Sequence, residues 1–173
     1  MTAIDDRSFP PALTALSEAE FDHRDGDGVD YEPFADFLGR EETTAWLRAW
    51  TGNGEVDGGR FRVFGQDGTG GYAAFWLVRP GLPTAAQPVV FLGSEGEAGV
   101  VARDLDALLW LFADGFGPCE AIRPAGRLPY PSPELAAIAE RYAPGLRRPA
   151  TEIIEEVGQE FLDFEDIIAD LCR

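Results

Sequence analysis

Two glutamates, Glu95 and Glu97, stand in the stretch GSEGEAG. Paired carboxylates do acid–base work when burial drives their proton affinities apart. A glycine-rich turn offers solvent rather than burial, so this pair reads better as exposed contacts for a basic partner. Asp67, in GQDGTGG, is the third carboxylate of interest. Its surroundings resemble a phosphate cradle, but no Lys and no opening helix follow, and the G-x-G-x-x-G spacing fails. The physical reading is a hairpin turn, with Gly supplying positive φ and Asp67 bonding local backbone.

Two further stretches invite a metal or a nucleophile. DHRDGDGVDYEPF, Asp22 to Phe34, looks like a calcium loop. Setting Asp27 and Gly28 at loop positions 5 and 6 puts His23 first and Phe34 twelfth, where carboxylates are required. A solvated acidic turn fits better. His23 is the sole histidine, so Ser-His-Asp and Cys-His schemes have no obvious base. Cys119 and Cys172 are far apart and outside any zinc-ligand spacing, which reads as two reduced thiols. The residues call for no metal and no cofactor. Carboxylate-only chemistry is the route left to an enzyme, and the pattern supports it thinly.

Charge narrows the partners. The chain has 31 acids against 14 bases, a net −17, and every base is Arg. We read the missing Lys as compositional bias rather than mechanism. A field of this sign repels nucleic acid and anionic membrane and steers in a basic protein. The longest apolar run, Ala107 to Ala113, is far short of the ~20 residues of a membrane span. With no signal peptide pattern after Met1, the expectation is a soluble cytoplasmic protein.

The elements that must position these residues are legible from their punctuation. At 173 residues, 45% of them hydrophobic, one domain is expected over 1–173. The runs RFRVF, GYAAFWLV, QPVVFLG and AGVVA are separated by Gly, Asp, Pro and Ser and predict four strands. PVVFLG is apolar enough for a central strand. Asp104 caps a helix with Leu105, Leu108, Leu109 and Phe112 on one stripe. Upstream, Phe34, Phe37, Leu38, Trp46, Leu47 and Trp50 follow a helical period interrupted near Gly39, with Trp46 and Trp50 on one face as core packing.

Ser132-Pro133-Glu134 starts another helix. Residues 1–12 read as a loose lead-in, and Leu13 to Phe21 as a short helix with Ser17 as its candidate cap. Thr151 to Arg173 is an amphipathic acidic segment in which Gly158 is a candidate break. It carries Glu152, Glu155, Glu156, Glu160, Asp163, Glu165, Asp166 and Asp170 against Arg173 alone. Short hairpin links favour antiparallel neighbours, so the fold class is α+β: a mainly antiparallel sheet of about four to six strands with helices packed against it.

FADFLGREETTAWLRAWTGN, FGQDGTGGYAAFWLV and PVVFLGSEGEAGVVARDLDALLWLFADG together resemble the SUKH superfamily, the Smi/Knr-type proteins. The likeness runs from roughly Asp30 to Gly117, about half the chain, and lies in the order of strands, turns and leucine helix. It implies the same α+β fold and no enzyme activity. Bacterial members are largely immunity proteins that neutralise polymorphic toxins, often nucleases, and fungal members regulate cell-wall glucan synthesis. The resemblance therefore implies a protein partner, a toxin domain. The net charge of −17 makes a basic one the expectation, and on charge and turn placement its candidate contacts are Asp67, Glu95, Glu97 and the acidic C-terminal face, which otherwise reads as a solvated outer surface. The alternative is a regulatory or scaffolding protein of the same fold without a toxin partner.

Overall fold

Alternation along the strands decides the architecture. Phe64, Ala73, Phe75, Val89 and Phe91 point to one side of the sheet and join one apolar cluster. Their neighbours Phe61, Val63, Ala74, Trp76, Val90 and Leu92 point to the other side and join a second. With side chains large and apolar on both faces, the sheet must be covered twice. The computed structural model describes residues 7–22, 28–124 and 126–172. His23 and Asp27, on which the calcium-loop comparison turns, lie outside these.

Among the described residues five strands form an antiparallel meander in the order β1-β2-β3-β4-β5. They are β1 (Glu32–Pro33), β2 (Phe61–Gln66), β3 (Tyr72–Trp76), β4 (Val89–Leu92) and β5 (Ala98–Ala102). β2 to β5 are the four expected runs, and β4 is internal, between β3 and β5. Seven helices are present among the described residues: α1 (Pro11–Ser17), α2 (Arg40–Thr51), α3 (Leu105–Ala113), α4 (Pro118–Ala121), α5 (Pro133–Tyr142), α6 (Ala150–Glu160) and α7 (Phe164–Leu171). The protein is therefore α+β, a five-stranded antiparallel sheet with helices packed against it.

The first cluster takes residues of α1, α3 and α5 together with Ile153 of α6, and its Phe64, Phe75, Phe91 and Phe112 are fully buried. Each such ring contributes about 1.5–3 kcal/mol. The second cluster takes Leu47 of α2 and Phe164 and Ile168 of α7. α6 and α7 thus deliver their apolar stripe to opposite sides of the sheet, and both contact β5, the edge strand they cover.

Several expectations change in detail. Residues 7–12 are not loose: Phe9 meets Phe37 edge-on at 4.8 Å, and Arg7 Nη1 donates to the Leu38 carbonyl at 2.8 Å. Ser17 ends α1, its hydroxyl donating to the Thr14 carbonyl, instead of capping a helix start. The helix expected from Phe34 begins only after Gly39. Phe34 and Leu38 instead donate their backbone N–H groups to Phe64 and Val63 along β2. Ser132 does cap α5, accepting from Leu135 N, and Asp104 caps α3, accepting from Ala107 N at 2.8 Å. Gly158 does not break the C-terminal helix. The break falls at residues 161–163, because Phe161 and Phe164 must both reach Trp76, at 6.2 and 5.1 Å between rings.

Candidate functional site

A meander returns every second hairpin to the same end of its sheet. The β2–β3 turn and the β4–β5 turn are therefore neighbours, and Ser94 Oγ donates to Thr69 Oγ1 across them at 2.8 Å. The end of α2 joins this edge. Gly39 and Gly52 bound that helix, and Trp50, in its last turn, donates its indole N–H to the Gly93 carbonyl at 2.6 Å. Asp67, Glu95 and Glu97 are thus brought to one end of the molecule, but into unlike environments.

Asp67 is 4% exposed. Its Oδ1 accepts from Thr69 N at 3.0 Å, Thr69 Oγ1 at 2.8 Å and Gly71 N at 2.8 Å. This carboxylate is the internal scaffold of the first turn, and its charge is felt by the half-buried Cys119 thiol. The expectation of Asp67 as a surface contact is corrected accordingly: a short Asx side chain inside a tight turn faces its own backbone. Burial, followed by the charges of Glu120 and Asp67, pushes the Cys119 thiol up to about 12, which leaves it protonated and unreactive at neutral pH. Glu120 lies alongside and is held above the ordinary carboxylate range by its burial, even though it accepts from Gly117 N and Asp30 N.

The second turn is built differently. Gly96 holds φ at 91° and donates to the Gly93 carbonyl, while Gly93 N donates to Glu97 O at 2.7 Å. Glu95 projects from the tip into solvent. Glu97 folds back over Gly93, where a Cβ would collide with its carboxylate, so the close approach needs that glycine. Its Oε1 pairs with Arg123 Nη2 at 3.0 Å. Its Oε2 is buried and accepts no hydrogen bond from the described residues. The three carboxylates thus occupy unlike surroundings: Asp67 inside its own turn, Glu95 in solvent and Glu97 paired with Arg123.

Glu97 lines a groove of about 530 Å³ together with Trp50, Ile122, Arg123, Glu165 and Ile168. One wall is aromatic. Trp50 stacks on Trp46 at 6.0 Å and 15°, and Trp46 stacks on Tyr72 at 4.4 Å and 23°. The i, i+4 spacing of the tryptophans predicts a shared helix face. Both rings are only partly buried, and Trp50 contributes to the groove as well as to packing. Glu165 and Ile168 come from α7, so the acidic C-terminal segment and the second turn share this one feature. That meeting is invisible in sequence, because nothing local links residues this far apart along the chain.

The acidic C-terminal face is divided. Glu156 pairs with Arg103 and Arg148, and Glu160 with Arg79 and Arg103, which fastens α6 beside β5. Glu152, Glu155, Asp163, Glu165 and Asp166 remain exposed. Among the described residues no group of three or more His, Cys, Asp or Glu is placed to hold a metal ion, and no helix is long and apolar enough to cross a membrane. Comparisons with family models, with curated proteins and with solved structures return no significant match.

Proposed function

We propose that the chain is a non-enzymatic binding protein of the SUKH kind, an immunity-type module. In this reading it masks the working surface of a basic, nuclease-like toxin domain in the cytoplasm. The observation that carries the reading is the meeting of two acidic elements in one groove: Glu97 from the β4–β5 turn and Glu165 from α7, with exposed Glu95 beside them. An anionic, rigid edge of this sort complements a nuclease surface, which is cationic because it must hold phosphate. The sheet supports rigidity, since both of its faces are packed and the two turns are hydrogen-bonded to each other.

The test is affinity capture from the source cells with tagged wild type beside a Glu95→Arg, Glu97→Arg variant. A basic toxin domain retained by wild type and lost by the variant is expected. Capture of housekeeping proteins alone would replace this reading with the regulatory one.

A further inference from the structure

We infer that residues 128–133, Leu-Pro-Tyr-Pro-Ser-Pro, are a ligand held ready for a partner protein with an aromatic-lined groove, of the kind that receives polyproline II chains. This surface shares no residue with the acidic groove, and it stands whether or not that groove binds a toxin. Proline chemistry sets its shape. Pro129, Pro131 and Pro133 hold φ at about −65°, and each pushes the residue before it toward the extended region. Ser132 has that geometry, at φ −108° and ψ 118°.

The segment is fastened along one edge. Tyr130 N and Ser132 N donate to the Asp114 and Ala113 carbonyls at the end of α3, each at 3.0 Å. Gly115, at φ 88°, lets the chain lie this close, because a Cβ there would collide with the Tyr130 backbone. Arg127 turns inward beside it, donating through Nη2 to the Gly28 and Gly115 carbonyls.

The other edge has no donors. Successive N–H groups of an extended chain point to opposite edges, so those of positions 129, 131 and 133 would point outward, and all three are proline. A partner cannot add a strand here, since an edge without N–H groups makes no ladder. What remains to be read is proline rings and carbonyl oxygens, and a groove of aromatic rings with indole or phenol donors reads both.

Exposure points the same way. Residues 128–131 are four consecutive exposed positions, Leu128 at 81% and Tyr130 at 48%. Exposed apolar runs of about this length are unfavourable unless a partner covers them. In a chain of net −17, no charge stands between Arg127 and Glu134, so recognition here is by shape and apolar area. Fastening the segment in its bound shape lowers the ordering cost of association.

The experiment is photo-crosslinking in the source cells from p-benzoylphenylalanine placed at Leu128 of the full chain. The same probe at Leu162, 83% exposed and outside the segment, is the control. The expected result is an adduct at 128 that the control lacks, mapped by mass spectrometry to an aromatic-lined cleft of the partner. Replacing Pro129 and Pro131 together by Ala frees the chain without charging it, and should cut the adduct about fivefold or more. If the double variant melts below wild type, the single Pro131→Ala variant carries the comparison, with a loss of about twofold. The Glu95→Arg, Glu97→Arg variant should leave the adduct unchanged. No adduct beyond the control, an adduct undiminished by the proline replacements, or attachment to a surface without aromatic residues overturns the inference. An adduct lost in the Glu95→Arg, Glu97→Arg variant also overturns it, by making the segment part of the acidic interface. An unchanged adduct without capture of a toxin sinks the functional reading alone.

Discussion

Asp67 Oδ1 accepts three hydrogen bonds from residues within four positions of it, while Glu95 extends from the next turn into solvent. Both are turn carboxylates on the same edge, and their energetic roles are opposite. Removing the Asp67 carboxylate, itself 4% exposed, leaves the buried Gly71 N–H without its acceptor and takes the same acceptor from the Thr69 N–H and hydroxyl at the turn's surface. Bonds to a charged acceptor are each the stronger kind, so Asp67→Ala should destabilise the fold by about 2–3 kcal/mol. Glu95→Gln should change stability by less than about 0.5 kcal/mol, as for other surface substitutions. Urea denaturation of the two variants beside wild type measures the contrast, and equal midpoints would refute the scaffold role of Asp67. The residue types alone could not separate them: Asp67 as a turn former was readable from GQDGTGG, but its 4% exposure depends on packing that the local sequence does not carry.

At the scale of elements, α6 and α7 show most clearly what one sequence can and cannot disclose. The stripe Ile153, Val157, Phe161, Phe164, Ile168 and Leu171 has helical spacing and was legible. What it packs against was not, since a stripe carries no label for which side of a sheet it meets. The break was misplaced for a related reason. Gly158 lowers helix propensity by only about 1 kcal/mol, and a Cβ there would meet nothing within 4 Å, so the helix runs through it. The turn is set instead by Phe161 and Phe164 converging on Trp76. Strands β2 to β5 were readable because their apolar runs end at Gly and Pro; β1 was not, being two residues long and half proline. Phe164 is 3% exposed and meets Trp76 edge-on at 5.1 Å, so Phe164→Ala should cost about 3–5 kcal/mol. Leu162, two residues earlier and 83% exposed, should tolerate Ala within about 0.5 kcal/mol. Thermal melts of the pair check this, and a tolerated Phe164→Ala would mean that α7 does not anchor the second cluster.

For the molecule as a whole, a net −17 on 173 residues acts on stability and on association with opposite signs. Like charges on one surface repel and weaken the compact state, and added salt relieves that repulsion as the Debye length falls from about 30 Å at 0.01 M to about 10 Å at 0.1 M. The ion pairs that fasten α6 to Arg79, Arg103 and Arg148 lose some strength under the same screening. They are few and partly exposed, so the relief of repulsion prevails, and the melting temperature should rise. For a chain of this length each kcal/mol gained is worth about 2–4 °C. The basic partner proposed above would draw on the same field in the attractive sense, and on that proposal its association rate should fall about tenfold or more over that salt range while dissociation changes less. Differential scanning calorimetry and stopped-flow association in matched buffers provide the two slopes. A melting temperature that rises while the association rate falls identifies a partner steered by charge. An association rate indifferent to salt would mean that docking rests on apolar contact, and the acidic groove would lose its place as the recognition surface.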